Sequence, residues 1–236
     1  MDNYFNYFTE IEEHFQRRRG TGLLLSTLDW ALIETWKDAG IPLEAVRRGI
    51  DAAFDGYEQR PSRTRKINGL AYCSQEVLSA AEEMKEAAVG MVREDAARSG
   101  EPPFDAKQIA AHLRASADAL EQARLPEANG VRAGVVAKET ARTLRDLAGE
   151  LESKGLPARL EDLERHLTVL EQKLFAVLIA AAPDEEIIAV RAQADRDIAP
   201  YRSKMAAAQI DQLQKQYVHK RLLEKYGLPR LSLFYL

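Results

Sequence analysis

Apolar residues recur at steps of three and four along most of this chain, the spacing that lines one face of an α-helix. Tyr4, Phe8, Ile11 and Phe15 predict a first helix over residues 3–18. Ser26 with Asp29 is a capping pair opening a second, with Leu28, Leu32, Ile33 and Trp36 inward. Leu43, Val46, Ile50 and Phe54 mark a third over 42–54; after a polar loop at 55–64, a longer helix is expected over 66–98. Asp105 begins a helix on Ile109, Leu113, Ala117 and Leu120, residues 126–130 break it, and another spans 133–153 on Val136, Leu144, Leu147 and Leu151. The strongest repeat is Leu160, Leu163, Leu167, Leu170, Leu174, Val177 and Ala181, the seam of one helix packed along another. Pro183-Asp184 turns the chain into a helix through Ile187, Val190, Ala194 and Ile198, and Pro200 separates this from a last helix on Met205, Leu213 and Tyr217.

Three of these helices end on the same signal: Gly40-Ile41-Pro42, Gly155-Leu156-Pro157 and Gly227-Leu228-Pro229. Gly takes a left-handed conformation at a helix end, the apolar residue folds back on the last turn, and Pro blocks continuation. Pro102-Pro103 disfavours helix and marks a linker. The expected fold is therefore all-α: an N-terminal four-helix domain over 1–98, a Pro-rich linker at 99–104, a helical bundle with a coiled-coil-like hairpin over 105–228, and an apolar tail at 229–236.

Composition narrows the function classes. Charged residues at 30% and a formal charge of −4 give no global attraction to nucleic acid or to an anionic membrane. The apolar stretch 174–182 is too short to span a bilayer, and the N-terminal residues lack a basic region and apolar run, so a cytoplasmic location is expected. The single cysteine, Cys73, excludes an intramolecular disulfide and a Cys-based zinc site. His14, His112, His166 and His219 are far apart, without the Glu-x-x-His spacing of helical metal sites. Gly20-Thr21-Gly22 lacks the further Gly and Lys of a phosphate loop. Paired acids such as Glu12-Glu13 and Glu82-Glu83 are adjacent and splay around a helix. The sequence thus predicts no enzyme, no cofactor and no metal.

Local charge says more. Arg60, Arg63, Arg65 and Lys66 lie in and beside one loop with no acid among them. Residues 201–236 carry seven basic side chains against two acidic ones. Such asymmetry either tracks phosphates or complements the acidic stretch at 161–197. The seam of Leu160, Leu163, Leu167, Leu170 and Leu174 closes within one chain or pairs two chains as a homodimer. The tail, Leu231-Ser232-Leu233-Phe234-Tyr235-Leu236, docks on its own fold or enters a partner's groove.

Two resemblances follow from these residues. Leu231 to Phe234 reads LSLF and resembles the peptide by which bacterial replication and repair proteins bind the sliding clamp, with Arg230 where that peptide carries Gln. Residues 26–77 resemble the helical module of the DnaD family of replication-initiation and helicase-loading proteins. The likeness rests on Leu32-Ile33-Glu34-Thr35-Trp36, the stop at Gly40-Ile41-Pro42, the basic loop, and Ile67-Asn68-Gly69-Leu70. Of that family's Tyr-Ile-x-x-Ile-Leu-x-x-Trp signature this chain keeps Ile67 and Leu70, with Lys66, Ala71 and Ser74 at the Tyr, Leu and Trp positions. The resemblances imply a non-enzymatic accessory factor of bacterial DNA replication or repair. It would bind DNA weakly and without sequence preference through Arg60, Arg63, Arg65 and Lys66, and a sliding clamp or other replisome protein through Leu231, Leu233 and Phe234. The alternative is a helical scaffold or adaptor that binds only protein, chiefly itself, through the leucine seam.

Overall fold

The computed structural model of the chain describes residues 6–22, 24–60, 66–89, 105–128, 130–157 and 159–236. Tyr4, Arg63, Arg65 and the linker at 99–104 lie outside them. The described residues form nine α-helices: α1 Tyr7–Arg19, α2 Thr27–Asp38, α3 Leu43–Glu58, α4 Ser74–Val89, α5 Ala106–Gln122, α6 Ala133–Lys154, α7 Leu160–Ala181, α8 Asp184–Ile198 and α9 Ala207–Lys225. The fold is all-α. The one β pairing among the described residues is a two-residue antiparallel ladder, β1 Glu127–Ala128 with β2 Val131–Arg132, where the sequence shows only a helix break. Gly130 has φ +74° in that turn.

Contacts divide the chain into two compact units. The first holds residues 1–99 and 193–217, the second residues 100–192 and 218–236. The sequence assigns 105–228 to one bundle, because helical periodicity runs without interruption through α8 and α9 and carries no sign of which neighbours each turn meets.

In the first unit, Phe8, Ile11 and Phe15 of α1, Ile33 and Trp36 of α2, and Val46 and Ile50 of α3 are buried together with Leu70 and Val77. The Ser26–Asp29 capping box is present, and it does more than start α2. Asp29 is buried; its Oδ2 accepts from the Ser26 N–H at 3.0 Å and the Ser26 hydroxyl at 2.8 Å, while Oδ1 accepts from the Leu70 N–H at 2.6 Å. This last bond explains why the expected helix from residue 66 begins late. Gly69 is extended, a 3-10 turn covers Leu70–Cys73, and α4 starts only at Ser74. A Cβ on Gly69 would lie 2.8 Å from Asp29 Oδ1, so the carboxylate needs glycine beside it.

α3 and α4 meet at Gly49, where an added Cβ would lie 2.3 Å from the Val77 Cα. Gly49→Ala is therefore expected to destabilise the first unit by about 1–3 kcal/mol despite its better helix propensity, because backbone has to move. Urea unfolding followed by circular dichroism measures this. An apolar cavity of about 50 Å³ lies between α2, α4 and residues 205–213, lined by Leu32, Trp36, Ile41, Leu78, Met205 and Leu213 among others. Asp38, at the end of α2, accepts from Gln212 and Gln216 of α9 at 3.1 and 2.8 Å.

In the second unit α5 and α6 pack most extensively, through buried Ala110, Ala117, Ala137, Ala141 and Ala148 interleaved with Leu113, Leu120 and Leu144. Small residues bring the helices close and the leucines fill the remaining space. At the rim Arg145 pairs with Asp118 at 2.7 Å and with Glu121 at 2.5 Å. Asp105 caps α5 reciprocally with Gln108, as its position before the apolar repeat suggests.

The glycine stops divide. At Gly40 and Gly227 the backbone is left-handed, and Ile41 and Leu228 donate to the carbonyls of Trp36 and Leu223, five residues back. These are Schellman ends. Gly155 also has positive φ, but its ψ of −166° carries the chain outward in an extended path.

Candidate nucleic-acid interface

The polar cleft of the first unit lies where the end of α3 faces the start of α4. Its volume is about 120 Å³, and Ala52, Ala53, Gly56, Arg60, Tyr72, Gln75 and Glu76 line it. Small residues on α3 leave the space open. Tyr72 lies in the 3-10 turn Leu70–Cys73 after Gly69, and the Asp29–Leu70 bond anchors the first residue of that turn. The Arg60 guanidinium sits over the Tyr72 ring, 5.8 Å from its centroid, and Tyr57 meets the same ring edge-on at 6.4 Å. Tyr57 and Tyr72 are half-buried, while Arg60, Gln75 and Glu76 are exposed. A cation, a ring face and a carboxylate thus share one opening. Such a set can stack on a planar group and hydrogen-bond its edge.

Of the four loop cations expected at a nucleic-acid surface, Arg60 lines this cleft and Lys66 is exposed without lining it; Arg63 and Arg65 lie outside the described residues. Tyr57, Tyr72, Gln75 and Glu76 did not emerge from the sequence. The available signal was a Tyr three residues before Arg60 in the same stretch of sequence. Tyr72 could not be found this way, because only a tertiary bend brings it there.

The sequence leaves the tail docked on its own fold or bound in a partner's groove, and here it is docked: Leu231, Leu233 and Phe234, the residues offered for partner binding, are buried within the second unit. Two buried carboxylates of α7 hold their backbone. Glu171 accepts from the Leu231 N–H at 2.7 Å; Glu164 accepts from the Leu233 N–H at 2.8 Å and from the Ser232 hydroxyl at 2.5 Å. Arg230, which occupies the clamp peptide's Gln position, pairs with Glu171 at 2.9 Å, and the His219 Nε2 lies 3.8 Å from the same carboxylate. Withdrawing the tail would leave both carboxylates buried without these partners, a strongly unfavourable state. In this structure the tail is core.

The leucine seam is likewise used inside the chain. Leu163, Leu167 and Leu174 are buried in the second unit, and Leu160 and Leu170 are half-buried. A self-association surface built on these five side chains would have to be uncovered first. Their spacing reports helix packing, but cannot say whose helix is packed.

His112 on α5 hydrogen-bonds the Leu231 backbone, and burial lowers its pKa below the ordinary 6.5. The unfolded chain therefore takes up this proton first as pH falls, so the His112 contribution is complete above pH 6.5 and is lost below it. His112→Gln is expected to flatten the part of the second unit's acid destabilisation that begins near pH 6.5, in urea titrations run across that range.

Among the described residues no group of three or more His, Cys, Asp or Glu is placed to hold a metal ion, and no helix is long and apolar enough to cross a membrane. The described residues thus define an all-α protein of two compact units, whose segments alternate along the sequence, with a cation–aromatic cleft on the first. A family model described as an uncharacterised protein matches residues 6–93, a span that includes every residue lining the cleft. No curated protein and no solved structure matches the chain.

Proposed function

We propose that this chain is a non-enzymatic accessory factor of bacterial DNA replication or repair that contacts nucleic acid through the open edge of its first unit. The observation that carries this reading is the Arg60–Tyr72 pair in a polar cleft, with Lys66 exposed close by in sequence. Cations supply phosphate affinity, and an aromatic ring lining the cleft supplies the stacking that unpaired nucleic acid needs. The resemblance of residues 26–77 to the DnaD module supports the cellular process. Partner binding through the apolar tail does not belong to the proposal, because the tail is occupied within its own unit.

The reading predicts weak, salt-sensitive binding, with a dissociation constant on the order of 10 to 100 μM at physiological salt. Arg60→Ala and Lys66→Ala should each reduce the slope of log affinity against log salt by about 1. Fluorescence anisotropy with labelled oligonucleotides at several salt concentrations provides the measurement. Affinity independent of salt would exclude phosphate contact and sink the proposal.

A further inference from the structure

The cleft pairs opposite charges, and this decides what can enter it. Arg60 and Glu76 both line it, with the Gln75 amide and the Tyr72 ring that the Arg60 guanidinium covers. A bare anion would meet the Glu76 carboxylate, and a bare cation the Arg60 guanidinium. The fitting occupant is a flat, uncharged group with hydrogen-bond donors on its edge. An unpaired nucleobase has that chemistry, and its phosphate can remain outside the cleft.

We propose that the cleft is a base-capture site for single-stranded nucleic acid, selecting bases that carry an exocyclic amine. This rests on the nucleic-acid reading above and specifies it. The base slides between the Tyr72 ring and the Arg60 guanidinium that covers it. Arg60 is exposed and on a long side chain, so it lifts by the thickness of a base and stays at the cleft, stacked on the outer face. Gly56 leaves room for the sugar edge, and Tyr57 fixes the plane of Tyr72 from the side. Glu76 accepts from the amine, as carboxylates do from cytosine N4. Thymine presents a carbonyl oxygen at that position, which repels the carboxylate. Duplex DNA keeps its bases stacked and paired and cannot offer either contact.

The test uses the full chain and three fluorescein-labelled probes, dC12, dT12 and a mixed 12-base-pair duplex, in anisotropy titrations at low salt. The expected order is dC12 tightest, dT12 weaker by about fivefold or more, and the duplex weaker than dC12. Tyr72→Ala should weaken dC12 by about tenfold and leave the duplex unchanged, and Tyr72→Phe should retain the wild-type affinity. Glu76→Gln alters only an exposed side chain and bears on selectivity without relying on the folding of the Tyr72 variant. It should abolish the preference for dC12 over dT12, since an amide can donate to the thymine oxygen. Equal binding of all three probes, or a dC12 preference that survives Glu76→Gln, overturns base capture but leaves salt-dependent phosphate contact standing. Binding to none of the probes at millimolar protein overturns both readings.

Discussion

Phe234→Ala is expected to cost the second unit about 3–5 kcal/mol, the range for removing a buried aromatic side chain. Phe234 is 3% exposed and follows Leu233, whose N–H donates to Glu164. The lost ring would leave a space that the tail is poorly placed to close, because Glu164 and Glu171 fix its path. Urea unfolding with probes on each unit separates the outcomes. A loss confined to the second unit confirms the tail as core. A variant as stable as wild type would return the tail to the role of a partner ligand, and the clamp resemblance would regain its force.

Asp29→Ala should destabilise the first unit by about 2–4 kcal/mol: about 1 from the lost half of the capping box, where the Ser26 N–H loses its acceptor, and 1–3 from the Leu70 N–H left without its own. The carboxylate is 2% exposed, so water is poorly placed to take its position. Asp29→Asn retains a side-chain oxygen and should recover part of the loss. A second consequence distinguishes this residue from an ordinary cap. If Asp29 holds the bend that brings Tyr72 to the cleft, the alanine variant loses single-strand affinity even under conditions where it remains folded. A fully folded Asp29→Ala protein with unchanged affinity would separate the bend from the site.

Both residues illustrate what the sequence discloses. The apolar repeats, the capping pair at Ser26 and Asp29, and the stops at Gly40 and Gly227 depend on neighbours within a few positions, and they are legible. The second bond of Asp29 depends on Leu70, 41 positions away, so the same residue appears in the sequence as a cap only. Glu164 and Glu171 follow leucines of the seam and resemble its solvated flank. They are buried because distant backbone N–H groups reach them, and nothing local records this. The site follows the same rule. Charge density picks out Arg60 and Lys66, but a ring and a carboxylate beyond a tertiary bend had to await the fold. Equally, LSLF spells out an apolar segment without stating whether a partner or the chain itself surrounds it.

The interleaving of the two units bears on how the chain matures during synthesis. The first unit needs residues 193–217, yet its opening 99 residues leave the ribosome with the entire first segment of the second unit still to come. At about 5–20 residues per second that interval is on the order of ten seconds. Throughout it, Leu32, Trp36 and Ile41 await Met205 and Leu213, the side chains that complete the wall of their cavity. The nascent N-terminal half therefore presents an apolar surface to the cell before its own cover exists. Holdase chaperones should engage it preferentially in nascent chains stalled between residues 100 and 190, and release it once α9 has emerged.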